Sequence, residues 1–182
     1  GMVLTKHADV EADLFDLGLL RRAVVALIPV SVSPDTATPE IMQRALSLAE
    51  PIGRARCAAR MKNLKINCDL TLSQHRPKDG MARGTLILST IHRQSRGARH
   101  LTLAQFTSVV ADQPSGLQVC RGHDLVAAVQ DVLIRDFGIS VSRARLLPGL
   151  LRGGLTQAGL DNWMSAQRMV AWQQAHGRVL FK

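Results

Sequence analysis

The feature that most constrains this chain is a run over 64–72 in which apolar and polar side chains alternate without a miss. Leu64, Ile66, Cys68, Leu70 and Leu72 would share one face of a β-strand, with Lys65, Asn67, Asp69 and Thr71 on the other. Such a strand suits an antiparallel sheet that packs one face and wets the other. Residues 84–91 read as its partner, joined to it by the polar loop 73–83. The expectation is a β-hairpin with a long basic loop.

Helical signals surround that hairpin. Asp9, Glu11 and Asp13 favour a helix N-terminus, and Leu14, Leu17, Leu20, Val24 and Leu27 recur at helical spacing until Pro29. After a Ser/Thr/Pro-rich loop at 31–39, Thr38 as cap and Pro39 at the first position predict a helix to about Glu50, before Pro51. Residues 54–62 extend it as a short basic helix. Thr102 and Gln105 form a capping-box pattern ahead of Leu103, Phe106 and Val110. Pro114, Ser115 and Gly116 mark a turn, and 117–120 reads as a short strand. Asp124 caps a helix that runs through Phe137 and stops at Gly138. Further helices are expected over 142–152 and 156–176, the latter closed by Gly177. The fold class expected is therefore α+β: helices packed on a small antiparallel sheet built around the hairpin (64–72 and 84–91), with a helical C-terminal half.

No linker or repeat divides the 182 residues, so 1–182 is expected to form a single domain, with Gly1 before Met2 reading as an expression scar. No apolar run reaches the roughly 18–20 residues needed to span a bilayer, and the N-terminal region is acidic where a signal peptide would be basic. Cys57, Cys68 and Cys120 make an odd count without a close pair, which fits a reducing compartment. The location expected is the cytoplasm.

Charge points to a partner. Residues 51–100 carry eleven Lys/Arg against Asp69 and Asp79, a net +9 that equals the net charge of the whole chain. Residues 1–50 carry a net −3 and residues 101–182 a net +3. Arg54, Arg56, Arg60 and Lys62 lead into the hairpin, Arg76, Lys78 and Arg83 sit on its loop, and Arg93, Arg96 and Arg99 follow it. Guanidinium groups bind phosphate bidentately, and a basic segment gains affinity for nucleic acid by releasing counterions. With 3% aromatics and no Tyr, the chain is poorly equipped to stack bases. Phosphate contact is therefore the expected mode.

A weak helix-turn-helix resemblance over 132–147 adds Arg143 and Arg145 to the nucleic-acid-binding candidates. Ile134 stands where that motif takes a small residue, and Pro148 would cut a recognition helix short. A third candidate is the start of the helix after Cys120, where Arg121, Gly122 and His123 with free backbone amides could hold an anion. Cys120 in that setting is a candidate nucleophile, set against the plainer role of a buried cysteine.

No catalytic constellation, Gly-rich phosphate loop, metal-ligand spacing or cofactor motif stands out, so neither an enzyme nor a cofactor is expected. The leading reading is a nucleic-acid-associated regulatory or accessory protein. One alternative is an adaptor or chaperone-like module for an acidic protein partner, in which the acidic first helix and basic hairpin also allow self-association into a homo-oligomer. Another is a binder of, or small enzyme acting on, an anionic small molecule near Asp124.

Overall fold

The computed structural model describes residues 12, 15, 17–61, 83–95, 98, 100–153, 171 and 174. Among the described residues the helices include, in order, α1 (Leu17–Leu27), α2 (Pro34–Met61), α3 (Arg83–Gln94), α4 (Leu103–Ala111), α5 (Gly122–Arg135), α6 (Val141–Ala144) and α7 (Leu147–Gly153). A 3-10 turn, Leu117–Val119, precedes α5.

The organising element is α2, 28 residues long, against which α1, α3, α4, α5 and the 3-10 turn all pack. Its composition explains both its persistence and its centrality. Ala37, Ala45, Ala49, Ala55, Ala58 and Ala59 are strong helix formers, and all are buried, so neighbouring helices approach closely on several sides. Ile41, Leu48 and Ile52 supply the larger buried volume, each contributing about 1.5–3 kcal/mol by leaving water. That gain, shared with every neighbour, outweighs two internal prolines, Pro39 and Pro51, each of which removes one ladder hydrogen bond. The expected break at Pro51 does not occur. Nor does the helix begin at Thr38, which lies one turn inside and donates its hydroxyl to the Pro34 carbonyl at 2.7 Å.

The α+β expectation is overturned: no strand, sheet or hairpin is present among the described residues. Residues 84–91 belong to helix α3, while the alternating run 64–72 lies outside the described residues. Leu86, Ile87, Leu88 and Ile91 would place apolar groups on both faces of a strand. On a helix, Ile87 and Ile91 stand four apart on one face, and both are buried. Packing on α2 thus overrides the β-branched character of the segment. The expected short strand at 117–120 is instead the 3-10 turn, entered through Gly116 at φ 83°.

Several terminators are where the residues place them. Thr102 and Gln105 close the capping box at the start of α4, with the Gln105 N–H donating to the Thr102 hydroxyl at 3.2 Å. Gly138, at φ 66°, turns the chain after α5, and the Ile139 N–H returns to the Leu133 carbonyl at 3.0 Å. The helix expected over 142–152 is divided into α6 and α7. The last helix, expected over 156–176, falls outside the described residues apart from 171 and 174.

Candidate functional site

Two cations of the basic segment, Arg54 and Arg56, are engaged within the protein. Arg56 points inward from α2 and is 6% exposed. Its Nη1 donates to Oδ2 of Asp124, which is 1% exposed and stands in the first turn of α5. The bond joins residues 68 positions apart and pins the longest helix to the start of α5. Asp124 is therefore not the N-cap; that position is Arg121, with extended backbone and no side-chain cap bond. The negative charge at this helix start is the protein's own, where the helix dipole also favours an anion.

The pair is incompletely satisfied. Arg56 Nε and Nη2 and Asp124 Oδ1 are buried without hydrogen-bond partners. His123 Nε2 lies 3.2 Å from Oδ1, within ion-pair range but without the alignment of a hydrogen bond, and His123 itself is half exposed. A buried pair of this kind holds the helices in one arrangement but is weak evidence of net stabilisation.

Cys120 lies beside this pair, fully buried, its thiol facing the Gly116 carbonyl at 3.5 Å. Burial, reinforced by the charges of Glu50 and Asp124 and opposed by Arg56, pushes its pKa up to about 12. The thiol stays protonated at neutral pH, which is the opposite of what a nucleophile needs. Close packing continues one turn along α2. A Cβ on Gly53 would come within 2.3 Å of the Val119 carbonyl oxygen, so α2 meets the 3-10 turn backbone to backbone.

Arg54, also on α2, is partly buried: Nη1 bonds Glu50 Oε1 at 3.3 Å and Nη2 donates to the Ala111 carbonyl at the end of α4. Arg93 is exposed at the end of α3, with Nη2 3.5 Å from the Thr90 hydroxyl. Arg60 and Arg83 belong to α2 and α3, while Lys62, Arg76, Lys78, Arg96 and Arg99 lie outside the described residues. Arg143 and Arg145 are both exposed. Arg143 Nη2 donates to the Ala26 carbonyl at 3.0 Å, supplying a partner to the last turn of α1 and a cation where the dipole favours one. Arg121 is partly exposed and Gly122 buried.

That Arg143 contact creates a surface the sequence does not announce. It sets α6 beside the end of α1, and α7 packs on α1 as well. Residues 17–34 and 137–160 contain no Asp or Glu. α1 thus meets α6 and α7, more than a hundred residues away, and none of the three helices carries a carboxylate. Arg143, Arg145 and Arg152 are exposed on the α6–α7 side of this surface, as are Val141 and Leu146. Asp35 and Asp136, at its borders, are engaged by Arg21 (2.6 Å) and Arg44 (2.9 Å). The hydrogen bond from Arg21, seconded by its charge, lowers the Asp35 pKa.

α6 spans only four residues, too short to lie along a groove as a recognition helix, so the edge offers separate guanidinium groups. His92 donates from Nε2 to the Leu101 carbonyl at 2.8 Å, with its ring tilted against Phe106. Among the described residues, no group of three or more His, Cys, Asp or Glu could hold a metal ion, and no helix is long and apolar enough to cross a membrane.

No protein-family model matches the chain, and neither a curated protein nor a solved structure matches it. Function must therefore be argued from the chemistry of these residues.

Proposed function

We propose that the protein binds nucleic acid through phosphate contacts, without reading base sequence, in a regulatory or accessory role. The observation that carries this reading is the meeting of α1, α6 and α7, helices with no Asp or Glu of their own, where Arg143, Arg145 and Arg152 are exposed in a chain of net charge +9. Exposed guanidinium groups with no acid among them raise the local concentration of a polyanion and meet phosphate oxygens in pairs. The brevity of α6 and the 3% aromatic content favour backbone contact over groove reading or base stacking. The remaining cations of 51–100 would add to this charge, with the exception of Arg54 and Arg56, whose guanidinium groups are engaged within the protein.

The test is the affinity for a short mixed-sequence duplex as a function of salt, measured by fluorescence anisotropy. Log K should fall linearly with log salt, at about −0.9 per phosphate neutralised. Reversing Arg145 and Arg152 to Glu should weaken binding equally for unrelated sequences. Absence of binding at low salt overturns the reading. Binding to polyglutamate with none to the duplex replaces it with an acidic protein partner.

A further inference from the structure

Large apolar side chains left in water are unevenly placed among the described residues. Val25, Val30, Leu103, Val141 and Leu146 are the exposed ones. All but Leu103 belong to α1, the turn after it, α6, or the link from α6 to α7, the part of the chain that also exposes Arg143, Arg145 and Arg152. Leu103, on α4, is also the least exposed of the set. A single apolar residue on a surface needs no explanation, but a concentration of them beside one charge type does.

The fold draws these groups together. Arg143 donates to the Ala26 carbonyl at 3.0 Å. Val25 is next to Ala26 in the chain and Val141 stands two residues before Arg143, so this bond brings both valines to one junction. The Leu146 N–H bonds the Arg143 carbonyl at 3.1 Å, and its own carbonyl accepts from the Leu150 N–H at 3.0 Å, which fixes the backbone of Leu146 beside the same arginine. Val30 is wholly exposed in the turn after α1, which the Val32 N–H closes on the Pro29 carbonyl at 3.0 Å. On α1, Val25 shares an outer face with the exposed Arg21 and Arg22 by four- and three-residue spacing. Val141 opens α6, and Arg145, four residues on, is its C-cap. Apolar and cationic side chains are thus interleaved.

Phosphate contact with a nucleic acid uses the guanidinium groups and leaves the apolar ones in water. The surface of a bilayer that contains acidic lipids meets both. Its headgroups are anionic, apolar side chains sink below them, and arginine stems reach back to the headgroup level. We infer that the surface of α1, α6 and α7 docks on an anionic lipid bilayer, with Val25, Val30, Val141 and Leu146 entering the interface and Arg143, Arg145 and Arg152 on acidic headgroups. This goes beyond duplex binding, because it takes up the apolar groups that phosphate contact leaves unused, and it stands or falls separately.

The experiment is co-sedimentation of the full chain with vesicles of phosphatidylcholine and phosphatidylserine in a two-to-one mixture, beside vesicles of phosphatidylcholine alone. The protein should sediment with the mixed vesicles, less so as salt rises, and remain in solution with the neutral ones. Val141→Ser combined with Leu146→Ser, both at exposed positions, should leave thermal unfolding unchanged and weaken partition onto the mixed vesicles by about tenfold. The same variant should bind the duplex as the native protein does. Val30→Ser, in the exposed turn, is a second variant and should weaken partition by about threefold. Absence of binding to the mixed vesicles at low salt overturns the inference, and so does equal binding to the neutral vesicles. Undiminished partition of both serine variants also overturns it, since the contact is then one of charge alone. Native protein that sediments with the mixed vesicles but does not bind the duplex upholds this inference and overturns the nucleic-acid reading; the converse result overturns this inference only.

Discussion

The junction of α2 with α5 and the edge formed by α1 with α6 use the same side chain in opposite ways. At the junction, Arg56 is buried and bonded to Asp124, near Cys120, and one turn away Gly53 packs on Val119. At the edge, Arg145 is exposed, and Arg143 uses one nitrogen on a helix end while remaining exposed. An arginine in the interior acts through the charge it must neutralise, whereas one on the surface acts through the charge it leaves uncompensated. The density of arginine in a sequence segment therefore says little about function until each has been placed.

The comparison breaks most readily at Asp124. Asp124→Ala should destabilise the fold by about 3–5 kcal/mol in urea unfolding, because it strands a buried guanidinium. Arg56→Met combined with Asp124→Leu should recover most of that loss, since packed apolar groups need no partners. If Asp124→Ala costs no more than Arg145→Ala, the distinction between the two regions fails.

Gly53→Ala comes next. Alanine normally favours a helix over glycine, yet here its Cβ would press on the Val119 carbonyl, so a net loss of about 1–3 kcal/mol is expected by the same measurement. A gain in stability would mean that the 3-10 turn yields easily and that the junction is not tightly packed.

Cys120 gives the junction a pH signature. Its folded pKa, up to about 12, lies above the ordinary value near 8.5. The contribution of the neutral thiol is thus fully present below about pH 8.5 and declines as pH rises toward 12, where the unfolded chain gives up its proton first. The Cys120 contribution should amount to about 1.4 kcal/mol per pH unit across that window. Unfolding of the native protein and of Cys120→Ala, followed at several alkaline pH values, should differ by that slope; identical slopes would remove the thiol from the account.

Effects at the edge should be smaller for stability and larger for binding. Arg143→Ala should lower stability by about 0.3–1 kcal/mol through the loss of its bond and charge at the end of α1. Arg145→Ala should leave stability within about 0.5 kcal/mol while reducing the salt slope of duplex binding by about one. A change in folding without a change in binding at Arg145 would reverse the assignment.

Much of the helical punctuation was legible in the residues. The Thr102–Gln105 capping box and the left-handed Gly138 are local devices whose partners lie within a few residues, so their chemistry is written in the chain itself. The segment 84–91 was misread because its β-branched residues carry a strand preference that a short apolar run cannot arbitrate. The signal against a strand was present: apolar residues on both of its faces, with Ile87 and Ile91 four apart. At Pro51, a strong local breaker was overruled by neighbours that come from distant parts of the chain. The candidate site was legible only as charge, because neither the Arg56–Asp124 bond nor the meeting of α6 with α1 leaves a local trace.

What the sequence determined by itself was its net charge, its poverty in aromatics, the caps and glycine turn that punctuate its helices, and the absence of carboxylates from 17–34 and 137–160. What only the tertiary structure decided was which of the described arginines are interior and which face water, and that α6 and α7 lie beside α1. The physical reason is range. Caps and turns close hydrogen bonds within about one helical turn, whereas burying a charge or assembling a surface depends on groups that the fold alone brings into contact.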